Sequence, residues 1–152
     1  MANVSESSLP KILLLNGPNL NMLGIREPGI YGHDTLANIE SEVMEAGRAA
    51  GVDVDCFQSN WEGALIDKIH ESYGNVVGLI YNPGAHTHYS YALRDAVASV
   101  DIPMVEVHIS DVDAREPFRA ISVFDGIAVK KIAGHGRAGY VEALDYLVQN
   151  YC

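Results

Sequence analysis

Apolar residues fall into two kinds of run along this chain, and the two kinds take turns. Lys11–Asn16 (KILLLN), Val76–Tyr81 (VVGLIY) and Pro103–Ile109 are short and close to continuously apolar, the pattern of strands buried inside a sheet. Val52–Gln58 instead alternates apolar with acidic residues, as a strand near a sheet edge does, and Ile127–Ala133 reads as a fifth strand. Between these runs the spacing lengthens to three and four. Leu36, Ile39, Val43, Ala46 and Ala50 share one helical face, with Asp34 or Thr35 to cap the start and Gly51 to end it. Leu65, Ile66, Ile69 and Tyr73 mark a second helix, stopped by Gly74. A third is expected from about Ser90 to Val100 and a last one over Tyr140–Gln149. Gly17–Asp34 has no period at all, and loops of that length in a compact domain are usually lids, binding loops or disorder. Asn82–His88 is a second loop, and a short turn or helix is expected near Arg115–Arg119.

Strand and helix thus alternate about five times. That order predicts an α/β fold, a doubly wound five-stranded parallel sheet with helices on both faces. There is no repeat, linker or low-complexity segment. The polar, Ser-rich start, residues 1–10, reads as a flexible tail, and residues 11–152 as a single domain.

Composition narrows the partners. The formal net charge is -10, which argues against nucleic acid as a general partner but not against a small anionic ligand, because local arginines can override net charge. No apolar run approaches the ~18 residues of a membrane span, and the start lacks the basic-then-apolar order of a signal peptide. A cytoplasmic location is expected. The two cysteines, Cys56 and Cys152, make neither a CxxC pair nor a disulfide framework.

In open parallel sheets ligands bind at the carboxyl ends of the strands. Here those ends are Asn16-Gly17, Asn82-Pro83-Gly84 and His108-Ile109-Ser110, each polar where an apolar run stops. The loop after the first holds Arg26 five residues before Tyr31. A guanidinium favours a phenolate, so this pair can make a base out of a group whose ordinary pKa is about 10; a surface tyrosine with a solvated arginine is the plain alternative. His86 and His88 are two apart, but a metal site would need a third ligand and no standard spacing supplies one. On the fourth strand Glu106 and His108 alternate with Val105 and Val107, so both point to one face. A carboxylate beside an imidazole fixes its tautomer and suits it to acid catalysis, the alternative being a salt bridge on a partly exposed strand. Arg115 and Arg119 lie four apart and can hold hydroxyls or a carboxylate, or form a solvated face. GHGRAG, Gly134 to Gly139, matches GxGxxG in form, but it follows the fifth strand and has no fitting acidic residue some 20 positions on, so dinucleotide binding is discounted.

Four segments in order, NGPNLNMLGIREPGIYG, FQSNWEG, NPGAHTHYSYALRD and VEVHIS followed by AREPFR, resemble the type II 3-dehydroquinate dehydratase family. The resemblance runs from about Lys11 to the last helix. It implies a flavodoxin-like sheet of order 2-1-3-4-5, a dodecamer built as four trimers, 3-dehydroquinate as substrate, and no cofactor or metal. It further implies Tyr31 as the base at C2, Arg26 as the group that stabilises the tyrosinate, and Asn19 as holder of a water near the enolate oxygen. His108 is then the general acid, Glu106 the carboxylate that orients it, and Arg115 a further electrostatic aid. Asn82, His88, Arg119 and the Ile109-Ser110 backbone become substrate contacts, and Asp95 a residue lent across a subunit interface. The chain departs from the family pattern at Trp61, Asp111, Asp113 and Ala120–Asp125. An extra acid at Asp111 or Asp113 is expected to weaken binding of an anionic substrate. The competing readings are a non-catalytic binding module, a flavin domain and a metal hydrolase built on His86 and His88.

Overall fold

The computed structural model describes residues 8–25, 34–112 and 116–152. Five parallel strands, β1 (Lys11–Asn16), β2 (Asp53–Gln58), β3 (Gly78–Asn82), β4 (Met104–His108) and β5 (Lys130–Ala133), form one sheet in the order β2-β1-β3-β4-β5. Four helices connect and cover it: α1 (Leu36–Ala50), α2 (Glu62–Glu71), α3 (Tyr91–Val100) and α4 (Ala138–Tyr151). The expected fold class and strand order both hold.

Alternation along each strand builds two cores. Ile12 and Leu14 of β1, Ile80 of β3 and Val105 and Val107 of β4 face α1 and α4, meeting Ile39, Val43, Leu144 and Leu147. Their neighbours Leu13, Leu15, Leu79 and Tyr81 face α2 and α3, meeting Leu65, Ile69, Leu93 and Val97. Each such buried side chain contributes about 1.5–3 kcal/mol relative to an exposed one, so a slip of one residue in any central strand would turn both cores outward.

Local signals account for most boundaries. Thr35 caps α1 in a reciprocal capping box with Asn38, and Gly51 ends it at a φ of 85°. Ser90 caps α3 through the Leu93 N–H. Some expectations shift. α2 starts at Glu62, one turn before its apolar stripe, and it ends at Glu71, so Tyr73 lies past the helix and is 69% exposed. β5 begins at Lys130, because Ile127 and Ala128 are taken into a turn by hydrogen bonds to Phe124 O. The first loop contains a three-ten turn, Leu20–Met22, while the short turn or helix expected near Arg115–Arg119 holds as a three-ten turn over Pro117–Ala120, started by its proline.

The chain leaves β1 first to β2 on one side, then returns to place β3 on the other. The crevice of a doubly wound sheet opens at such a reversal. Asn16 and Asn82 stand opposite each other there in register. The Gly17 N–H donates to Asn82 O at 2.8 Å and holds the two strand ends together.

Candidate active site

A pocket opens over the carboxyl ends of β1, β3 and β4. Its wall includes Asn19 after β1, Asn82 and His88 after β3, His108, Ile109 and Ser110 at the end of β4, and Arg119 from the last three-ten turn. Seven of the residues singled out in sequence thus come together. Tyr31, Arg26 and Arg115 lie outside the described residues. Asp95 is not in the pocket wall of its own chain but exposed on α3.

Glu106 is completely buried on β4, behind the wall. Its Oε2 lies 2.6 Å from Nε2 of His108, two residues on along the same face of the strand. Thr87 donates its hydroxyl to Oε2, and Ser122 donates to Oε1 at 2.9 Å. Ser122 is itself fixed by the Phe124 N–H at 3.1 Å. Burial alone would push the Glu106 carboxyl up, but the imidazole and the two hydroxyls outweigh it and hold the pKa below the usual carboxylate range. An ionised carboxylate therefore accepts the Nε2–H of His108, which leaves Nδ1 as the ring nitrogen available to a ligand. The alternative of a salt bridge on a partly exposed strand does not apply, since every residue of β4 is buried.

His88 belongs to the three-ten turn Gly84–His88. Its Nδ1 donates to Ile121 O at 2.7 Å, so the neutral ring offers Nε2 as an acceptor. Burial pushes its pKa down. The Ile121 carbonyl opposes this, while the charges of His108 and Arg119 add to it. His86, two residues earlier, is buried and packs edge-on against Tyr89, outside the pocket wall. Among the described residues no three His, Cys, Asp or Glu side chains gather as a metal site.

Arg119 is anchored on its own turn. Its Nε meets Glu116 Oε1 at 2.5 Å and its Cζ stands 4.8 Å from the Phe118 ring centre. Asn19 has a left-handed φ of 70°, and its N–H donates to Asn60 Oδ1 at 3.0 Å. Gln58 Nε2 donates to Gly17 O at 3.1 Å. The end of β2 thereby fastens the loop after β1, which gives the FQSN part of the second motif a purpose that spacing did not reveal. GHGRAG also has a purpose. Its Gly134 and Gly136 N–H groups donate to the carbonyls of His108 and Ile109 and hold the end of β4.

Thr87, Ser122 and Tyr140 were not singled out in sequence, and Asn16 was named there only as a strand end. Thr87 stands between two histidines that draw more attention, and Ser122 lies in the least typical stretch. Of the departures, Trp61 is exposed, and Asp111 falls between the pocket residues Ser110 and Val112 without lining the pocket. Asp113 lies outside the described residues.

The chain matches the family model described as Dehydroquinase class II over residues 10–148. A 3-dehydroquinate dehydratase of Bacillus cereus (strain AH820) is 52% identical over 141 residues, 93% of this chain and 97% of that one. One from Anoxybacillus flavithermus is 56% identical over 130 residues, 86% and 88% of the two chains. The solved type II dehydroquinase of Butyrivibrio crossotus superposes with a TM-score of 0.90 at 50% identity, covering 93% of this chain and 99% of that one. That of Propionibacterium acnes gives 0.89 at 41%, covering 92% and 97%.

Proposed function

This chain belongs to the class II dehydroquinase family, and on that premise we propose that it dehydrates 3-dehydroquinate to 3-dehydroshikimate through an enolate. Tyr31, as tyrosinate, takes the proton from C2, and the electron pair moves into the C3 carbonyl. The enolate then collapses, the C1–O bond breaks, and the leaving hydroxyl departs as water with a proton from His108. Bringing a tyrosine from about 10 to near 7 requires about 4 kcal/mol of differential stabilisation, the work assigned to Arg26 with Arg115 in a site shielded from water. Asn19 holds a water by the enolate oxygen. Asn82, His88, Arg119 and the Ile109-Ser110 backbone bind the substrate.

The observation that carries this reading is the Glu106–His108 pair at 2.6 Å, with its imidazole in the wall of a pocket shared with Asn19, Asn82 and His88. A buried carboxylate orients the ring through Nε2 and balances the charge of its acid form. Nδ1–H is then the proton donor. No step calls for a metal or cofactor.

The assembly belongs to the same reading: a dodecamer of four trimers in the cytoplasm, with Asp95 serving a neighbouring copy. In support, Asp95 is exposed on α3 and does not line its own chain's pocket, and Tyr89, Phe118 and Ile121 form an exposed apolar rim around His88. Sedimentation of the purified protein at twelve times the chain mass is the expected result.

The deciding experiment mixes protein with 3-dehydroquinate and follows the ultraviolet rise of the conjugated enone. Product should form in wild type and collapse by at least about 1000-fold in Tyr31→Phe, a loss of about 4 kcal/mol of transition-state stabilisation. A folded wild type that makes no product would replace the enzyme with a binding module.

A further inference from the structure

The hydroxyl of Tyr140, on α4, reaches beneath the crevice, and the side chain is completely buried. It donates to Asn16 Oδ1 at 2.6 Å and accepts from Asn82 Nδ2 at 2.9 Å. These asparagines end β1 and β3 and stand opposite each other in register. Burial pushes the phenol's pKa up against the opposing Asn82 bond, so the group stays neutral and keeps its single hydrogen.

That single hydrogen has a directional consequence. Once it is given to Asn16, the oxygen facing Asn82 can only accept. The Gly84 N–H donates to Asn82 Oδ1 at 3.1 Å, which turns Nδ2 toward Tyr140, and the phenol oxygen accepts it. Asn82 is 97% buried yet contributes to the pocket wall. With one N–H committed to Tyr140, the amide nitrogen retains a second to offer a ligand. A flipped amide would bring Nδ2 against the Gly84 N–H and lose that bond, and the phenol hydrogen would have to leave Asn16 to meet Oδ1.

We propose that Tyr140 is a positioning residue that locks Asn82 as a hydrogen-bond donor, so that this part of the pocket selects an oxygen acceptor on the substrate. The identity of that substrate rests on the dehydratase reading. The polarity of Asn82 does not.

Removing the hydroxyl tests it. In Tyr140→Phe the KM for 3-dehydroquinate should rise about tenfold while kcat stays within about threefold, the signature of binding lost equally from ground and transition states. Asn16→Leu, which removes the acceptor and frees the phenol hydrogen to turn toward Asn82, should raise KM in the same way from a different strand. Independently of turnover, the side-chain amide of Asn82, identified in nitrogen–proton spectra by its loss in Asn82→Ala, should exchange with solvent at least tenfold faster in Tyr140→Phe. An unchanged KM, a fall confined to kcat, or an unchanged Asn82 exchange rate would each overturn the assignment. A wild type that leaves 3-dehydroquinate untouched would sink the dehydratase reading instead, and the amide exchange would still decide the part played by Tyr140.

Discussion

Glu106 and His108 are two residues apart on one face of β4, and their Oε2 and Nε2 atoms meet at 2.6 Å with both side chains buried. Adjacent same-face positions on a strand carry their side chains side by side, so the strand itself presents the acid and its orienting carboxylate as one unit. Three donors converge on the carboxylate: the imidazole and the hydroxyls of Thr87 and Ser122. With its charge shared among them, burial without a cation of full charge is tolerable.

Glu106→Gln keeps the shape and removes the charge. The glutamine can still meet the two hydroxyls but no longer balances an imidazolium. A drop in kcat of about 100-fold is expected, within the range of a positioned acid and its supporting group. Steady-state rates beside circular dichroism check it, and a variant within threefold of wild type would remove the pair from the mechanism.

Ser122→Ala bears on pH. The folded-state pKa of Glu106 lies below its ordinary value of 4.5. The folded protein therefore binds this proton less readily than the unfolded chain does. The stability that results is complete above pH 4.5 and is lost as pH falls through the folded value. Taking away one hydroxyl raises the folded pKa toward the ordinary one. The variant should be about 1.5 kcal/mol less stable at neutral pH, and the gap should narrow below pH 4.5. Urea midpoints measured from pH 3 to 7 decide the matter (range on the order of the carboxylate titration). Parallel curves would show that Ser122 does not act through Glu106.

His88 should titrate low in the free protein. Burial, with the Arg119 charge adding to it, favours the neutral ring, so the midpoint lies below 6.5. Its share of stability is then present above that pH and declines as pH falls through the folded pKa. Proton NMR of the imidazole, identified by its loss in His88→Asn, gives the midpoint directly, and a value above 6.5 contradicts the burial described for the ring.

Gly17→Ala tests the union of the strand ends. A Cβ there would stand 2.4 Å from Pro83 O and 2.8 Å from its carbonyl carbon, both backbone atoms. The strands must part to admit it. A loss of about 3 kcal/mol is expected, together with a raised KM, since Asn82 shares this junction through its bond from the Gly17 N–H. Thermal melts and substrate saturation report the two effects, and a variant of native stability would show that the strand ends part freely.

Much of the site was legible in the chain. Glu106 and His108 were placed on one face because a strand repeats every two residues, and Asn82, Ile109 and Ser110 were placed at strand ends because apolar runs stop there, while His88 came from the family resemblance. These are local properties, set by periods and by the residues that break them. The order of the strands came from resemblance to a family, and the sheet agrees with it.

What only the tertiary structure decided are the contacts that join distant segments. Ser122 reaches Glu106 from sixteen residues away, and Tyr140 reaches Asn16 across 124. No spacing rule encodes such a pair, because the partners share neither an element nor a period. They meet only once the two cores have packed α4 against the sheet and brought the chain after Arg119 over β4. A serine, a threonine and a tyrosine are ordinary residues in sequence, and burial beside one particular carboxylate or amide is what gives each of them a task.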